Sequence, residues 1–197
     1  MTLYEYDCKI RERFPIIVGV DEAGRGPLAG DVYAAAVILP PDCVIEGVND
    51  SKKLTEKKRE ALFDEITERA EAYCIATASV AEIEEINILN AAMLAMSRAI
   101  AGLGKQYDLA MIDGNRTPDV DGKVQAFVKG DATSQSIAAA SILAKVARDR
   151  YMLGLDSLYP EYQFSKHKGY GTKLHYEMIR KYGPSPVHRP SFLKKLH

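Results

Sequence analysis

The 197 residues are 47% hydrophobic, enough for one compact domain with a substantial core. Three cysteines (Cys8, Cys43, Cys74) are odd in number and lack any CxxC spacing, which excludes a cysteine zinc site and a disulfide framework and points to reduced thiols. The longest apolar runs, Tyr33–Leu39 and Ile137–Ala144 among them, fall far short of the ~20 residues of a membrane span. The N-terminal MTLYEYDCKIRERF offers no apolar stretch for a signal peptide, so a cytoplasmic protein without membrane contact is expected. The formal charge of −1 hides an asymmetry, with eleven Lys/Arg against four Asp/Glu from Ile142 to His197 and an acidic balance before it. A basic C-terminal third can attract phosphate, although solvated helix faces produce the same imbalance.

In chain order, the first clear element is a buried strand, Ile16–Ala23, ending on Asp21-Glu22 and the tight loop Gly24-Arg25-Gly26-Pro27. A second strand, Asp31–Leu39, follows too closely for a crossover helix, which predicts an antiparallel pair. After the loop Asp50-Ser51-Lys52-Lys53, Thr55 caps a helix running through EKKREALFDEITERAEA, with one apolar stripe and a charged outer face. Tyr73–Val80 reads as a third strand, and Ile88–Leu103 as a mostly apolar helix ending near Gly102 and Gly104. Short strands at Leu109–Asp113 and Val124–Val128 stop at Gly114 and at Gly130-Asp131. Ser134–Leu153 is a long helix whose first half, SQSIAAASILA, is so rich in small residues that it must lie close against something. Two shorter helical stretches follow, one around Lys173–Lys181, before the Pro-rich tail. Strands in a meander that later alternate with helices describe an α/β layer structure with a mixed sheet, in one domain spanning 1–197.

Asp21 interrupts an apolar strand, Asp113 closes another, and Asp131 follows a third. Groups at the carboxyl ends of neighbouring strands in open α/β sheets converge on one crevice. With Glu22, these acids would form a self-repelling cluster that asks for hard cations on oxygen ligands, Mg²⁺ or Mn²⁺. Each acid has a plainer alternative. Asp131 could cap the helix beginning near Ser134, and Asp113-Gly114-Asn115 could be ordinary turn chemistry.

The block GVDEAGRGPLAGDVYAAAVIL at 19–39 resembles the signature of type 2 ribonuclease H (ribonuclease HII), in its short bacterial form. DSKKLT at 50–55, Asp113, KGD at 129–131, SIAAASILAKVARD at 136–149, HKGYGT at 167–172 and VHRPSF at 187–192 extend the resemblance over nearly the whole chain in the family's order. It implies a ribonuclease H-like fold of about five strands, with a C-terminal helical part from about residue 155 packed as a substrate-binding extension. It places the catalytic, metal-binding DEDD set on Asp21, Glu22, Asp113 and Asp131. The fourth acid is aspartate where type 3 enzymes carry glutamate, and only about fifteen residues precede the first strand, which is the type 2 pattern. The implied activity is two-metal hydrolysis of the RNA strand of RNA–DNA hybrids. It includes cleavage 5′ of single ribonucleotides in duplex DNA, leaving 3′-hydroxyl and 5′-phosphate ends, in ribonucleotide and RNA primer removal. Gly24, Arg25 and Gly26 would sense the ribose 2′-hydroxyl, Tyr170 would stack on the following sugar, and Lys52, with Lys53, Lys166, Lys168 and Lys173, would contact phosphates. On sequence alone a tyrosine between glycines, as Tyr170 is, is more often a packed loop residue, and His188 reads as structural. A monomer is expected, and the tail could hold a DNA replication or repair partner.

Overall fold

The computed structural model describes residues 1–194. Its first element, α1 (Leu3–Arg11), has no counterpart among the sequence-predicted elements. Thr2 and Glu5 form a capping box, a signal present in the sequence as Thr-x-x-Glu but masked by a short, charge-interleaved helix without a clear apolar stripe. β1 (Ile17–Ala23) and β2 (Val32–Ile38) pair antiparallel as expected, with Asp21 opposite Ala35. Thr55 caps α2 (Glu56–Arg69) through the Lys58 amide.

The third strand, β3, covers Ala72–Ala78 rather than Tyr73–Val80. Ser79 and Glu82 form a second capping box, so Val80 opens α3 (Val80–Ala101) instead of closing the strand. That helix is broken at Asn87 (φ 70°), whose side chain accepts a hydrogen bond from the Asn90 amide. The expected helix start at Ile88 is therefore the start of its second segment. β4 (Leu109–Asp113) and β5 (Val124–Phe127) follow, and Ser134 caps α4 (Gln135–Leu158), which runs more than a turn beyond the expected end. α5 (Phe164–His167) and α6 (Lys173–Tyr182) complete the chain's helices among the described residues.

The sheet order is β3-β2-β1-β4-β5, mixed as expected, with β4 parallel to both β1 and β5. Val20 pairs with Ile112, so the next residues along, Asp21 and Asp113, end neighbouring parallel strands side by side. Val18, Val20, Ala34 and Ala36 pack with α3 on one face, and Ala35, Val37 and Leu39 with α2 and α4 on the other. Each fully buried Val, Leu or Ile in these layers contributes about 1.5–3 kcal/mol. The small residues of α4 have the partner that their size demands. At Gly19 of β1 the backbones meet so closely that an added Cβ would lie 2.0 Å from the Ser136 carbonyl oxygen.

Beyond α4, Tyr162 and Phe164 pack on Met152, Leu155 and Ala29. His167, His175 and His188 are buried beside them, with the first two rings stacked at 4.1 Å and the Nε2 atoms of His175 and His188 3.0 Å apart. His188 is thus a packed structural residue, as its setting in the sequence suggested. Burial, reinforced by neighbouring imidazoles, lowers the pKa of His175 and His188 to about 4, and burial lowers that of His167. A histidine whose folded pKa lies below its unfolded value (about 6.5) adds stability above that value and loses it as pH falls toward the folded pKa. Acid titration is therefore expected to lower stability between about pH 6.5 and 4, by up to about 1.4 kcal/mol per pH unit for each histidine. His175→Gln should flatten that limb of a melting-temperature profile, and an unchanged slope would assign the acid sensitivity to other groups.

In the tail, Ser191 donates to Glu84 and Leu193 is buried, while the last three residues lie outside the described part. Among the described residues no helix is long and apolar enough to cross a membrane.

Candidate active site

Asp21, Asp113 and Asp131 each present a carboxylate oxygen, and these oxygens lie within 4.8 Å of one another. Parallel pairing of β1 and β4 places the first two. The 3-10 turn Gly130–Ala132 after β5 delivers the third, with Lys129 entering it at φ 57°. The Asp131 amide donates to Asp113 Oδ1 at 3.2 Å, tying that turn to the end of β4. Both plainer alternatives fall here. Ser134, not Asp131, caps α4, and the Asp113 carboxylate faces the cluster rather than its own turn.

Glu22 lies outside this trio. It points to Arg25, 3.2 Å away, but lines the same cleft as Asp21. Burial, then the charges of Glu22 and Asp113, raise the Asp21 pKa well above the carboxylate range, against a hydrogen bond from the Glu22 amide. Asp131 is pushed up to about 6, first by burial and then by Asp113 and Asp50. For Lys52, burial works against the charged form, but Asp21, Asp50, Asp131 and Asp113 together raise its pKa above the usual lysine value. Lys52, held on a turn that Asp50 caps, is thus a cation that all four of these acids favour in its charged form.

Gly24, Arg25 and Gly26 line a cleft of about 480 Å³ with Asp21, Glu22, Ser51, Lys52, Ser141, Lys145 and Tyr170. The expected loop, lysine and tyrosine therefore share one cavity with the first acid pair. Larger cavities beside Tyr107 (about 640 Å³) and under Pro184–Pro190 (about 690 Å³) do not border the three acids. Tyr170 is 41% exposed, 5.6 Å from the Lys145 ammonium and 5.8 Å from the Arg148 guanidinium by ring centroid. It is not a packed loop residue. Of the other lysines named from sequence, Lys166 and Lys168 donate to Gln163 and Ser165, Lys173 faces Glu177, and none lines the cleft.

Several residues of the site escaped sequence reasoning. Ser141, Lys145 and Arg148 are spaced four and three apart on α4, one helix face and so a legible signal. Lys145 is paired with Asp149 at 2.7 Å, and Ser141 donates to Ser51 at 2.8 Å. Arg148 is fully buried and donates to the carbonyls of Ala29, Asp31 and Lys168. Gly24 (φ 96°) sits over it, where a Cβ would come within 2.1 Å of Nε. Arg189 is also fully buried beneath the loop, and burial, then the charge of Arg148, lower its pKa to about 9, which leaves it cationic at neutral pH. Asp7 of α1 accepts from Ser134 and from the Ser136 amide and hydroxyl, fastening the start of α4 behind Asp131.

A model of the ribonuclease HII family matches residues 18–195. Ribonuclease HII of Caldicellulosiruptor bescii is 54% identical over 187 residues, covering 95% of this chain and 91% of the relative. That of Idiomarina loihiensis is 58% identical over 177 residues, covering 90% and 95%. Among solved structures, ribonuclease H2 of Pyrococcus horikoshii superposes with a TM-score of 0.76 at 27% identity, covering 92% of this chain and 96% of that one. Blocks that carry the sequence resemblance, a mixed sheet with three acids converging at its strand ends, and relatives matched over nearly their full length agree with one another: the chain belongs to the ribonuclease HII family and is a ribonuclease H.

Proposed function

We propose that the enzyme cuts the RNA strand of RNA–DNA hybrids, including the phosphodiester 5′ of a single ribonucleotide in duplex DNA, and leaves 3′-hydroxyl and 5′-phosphate ends. The observation that carries this reading is the acid trio standing beside a glycine loop and an exposed tyrosine. Acids alone would suit many nucleases. A loop whose backbone can approach a sugar, next to an aromatic face, suits one that inspects ribose.

The donor set fits hard divalent cations, because every ligand atom is a carboxylate oxygen and the cost of holding Asp21 and Asp131 ionised is relieved by positive charge. Asp21 and Asp113 would hold one Mg²⁺ or Mn²⁺, and Asp21, Glu22 and Asp131 a second. Ions held there would supply positive charge against the negative charge that develops on a phosphodiester during hydrolysis. The protein's own groups do the rest. Lys52 meets the phosphate beside the acids, Lys145 adds a second cation across the cleft, and neither contact depends on base identity. Tyr170 supplies a stacking face for the sugar after the ribonucleotide, and the Gly24–Gly26 backbone reads the 2′-oxygen. Such an enzyme serves the removal of ribonucleotides and RNA primers from DNA.

The direct test is cleavage of a DNA duplex with one embedded ribonucleotide, with and without divalent metal. A single metal-dependent cut on the 5′ side of the ribose is expected, and none in the all-DNA duplex. Equal cutting of both would replace this reading with that of a general DNA nuclease. Tyr170→Ala is expected to lose about tenfold or more in cleavage of the single-ribonucleotide duplex, the scale of one base-stacking contact, with duplex affinity reduced less. Unchanged cleavage would remove Tyr170 from the site.

A further inference from the structure

We propose that Arg189 is a positioning residue that orients the Gly24-Arg25-Gly26 backbone, so that the N–H groups of Arg25 and Gly26 face the cleft as a preformed pair of donors for the ribose 2′-oxygen. The inference rests on the ribose-sensing role given to this loop above.

Arg189 enters from the tail, far from the loop in sequence, and is fully buried. Its five guanidinium N–H groups make five hydrogen bonds, all to backbone carbonyls of one short segment. Nη2 donates to Gly24 O at 2.7 Å and to Gly30 O at 2.7 Å. Nη1 donates to Arg25 O at 3.0 Å and Pro27 O at 2.8 Å, and Nε to Gly30 O at 2.9 Å. The Arg189 amide donates in turn to Leu28 O at 2.8 Å. Among the described residues neither Arg189 nor the neighbouring Arg148 forms an ion pair. A charged fork buried against carbonyls alone is a costly device that fixes shape.

A trans peptide points its C=O and N–H in opposite directions. Drawing the Gly24 and Arg25 carbonyls inward to Arg189 therefore turns the N–H groups of Arg25 and Gly26 outward. Both residues line the cleft together with Tyr170, so outward here is toward the cleft. Two further loop amides are engaged, Leu28 N with Gly169 O and Gly30 N with Val187 O, whereas among the described residues those of Arg25 and Gly26 have no acceptor. Two adjacent donors set in place before substrate arrives cost no reorganisation when it binds. Glycine at 26 leaves the approach open, since an added Cβ would first meet Tyr170 at 3.9 Å. The fork geometry matters as much as the charge, because a lysine in the same place offers three donors from one point and cannot hold both peptide planes.

The test is Arg189→Lys, assayed below its melting temperature on two duplexes that differ in one sugar, ribose or 2′-fluoro-deoxyribose. Fluorine is a poor acceptor and leaves the phosphate contacts alone. The variant is expected to lose about 10²-fold in kcat/KM on the ribose duplex, with KM changed much less, while cleavage of the fluoro duplex barely falls, so that the wild-type preference for ribose collapses. Global loosening would lower both rates together, and an equal loss, or no loss, would overturn the proposal. Because Arg189→Lys can fail to fold, a second measurement uses the native side chain. In the Asp131→Asn protein, amide hydrogen exchange at Arg25 and Gly26 should be fast when free, slowed by the ribose duplex and not by the all-DNA duplex. Protection already present without substrate, or none on binding, would overturn it equally. If the wild-type enzyme itself shows no preference for ribose, the ribonucleotide reading fails; if it prefers ribose and Arg189→Lys does too, only the role of Arg189 fails.

Discussion

Asp131→Asn is expected to reduce cleavage of a ribonucleotide-containing duplex by about a thousandfold or more while leaving duplex affinity nearly unchanged. Asparagine keeps the size of the side chain and one oxygen but removes the charge that a divalent cation needs. Affinity is expected to survive because the cations proposed to meet phosphate, Lys52, Lys145 and others of the basic C-terminal third, are all retained in the variant. The same variant should melt higher than the wild type in metal-free buffer. Its pKa, raised to about 6 by burial and by Asp113, means that ionisation is harder in the folded protein than in the unfolded chain. The sign follows: the folded state binds the proton more tightly, so stability falls as pH rises from the ordinary carboxylate value (about 4) through 6, and the asparagine variant escapes that loss. The gap in melting temperature should open over that interval and stay constant above it. Adding Mg²⁺ should raise the wild type more than the variant, since a cation that binds only the folded state stabilises it. Near wild-type cleavage by Asp131→Asn in Mg²⁺ would remove it from the metal site, and a pH-independent gap would contradict the electrostatic account.

Gly19→Ala is the second change with a large expected effect, this time on folding. A single methyl group there would stand 2.0 Å from the Ser136 carbonyl oxygen and 2.5 Å from the Ile137 nitrogen. Both are backbone atoms in the first turns of a helix anchored by Asp7, so no side-chain rotation relieves the clash. Sliding α4 away from β1 would open the layer that buries Ala138, Ala139 and Ile142, and would shift Asp131 relative to Asp21. A loss of about 3–5 kcal/mol is expected, at the severe end of point substitutions and a large part of a typical stability of 5–15 kcal/mol. Thermal unfolding would register it as a fall of about 10 °C or more. A melting temperature within a few degrees of wild type would mean that the two backbones separate more freely than their contact implies.

Local pattern went far in this chain. β1, β2, β4 and β5 were legible to within a residue because each is a largely apolar run followed closely by glycine, proline or an acid. The two helical errors at Leu3–Arg11 and Val80–Asn87 share one cause. Both helices begin with a capping box, and in both the apolar spacing was too weak to reveal what the cap already announced. Asp21, Asp113 and Asp131 could be picked out as strand-end acids, but each on its own admitted a cap or a turn. The blocks resembling ribonuclease HII supplied the order of the four acids and the link to a ribose-sensing loop. The relatives and the fold support the family, while the division of ligands among metal ions stays with the proposed mechanism.

What the sequence determined by itself was the set of elements and the chemistry each carries, since strand, cap and turn preferences act over a few neighbouring residues. Only tertiary structure decided which of those chemistries meet. The trio of acids exists because β1 and β4 run parallel in register and α4 presses on Gly19, contacts between segments about ninety and more residues apart. The same holds for Arg189, which reads as an ordinary tail cation until folding carries it under the Gly24–Gly30 loop. Burial then converts a solvated charge into a fixed five-armed support, because in an interior without water a guanidinium must find every acceptor it needs among nearby carbonyls.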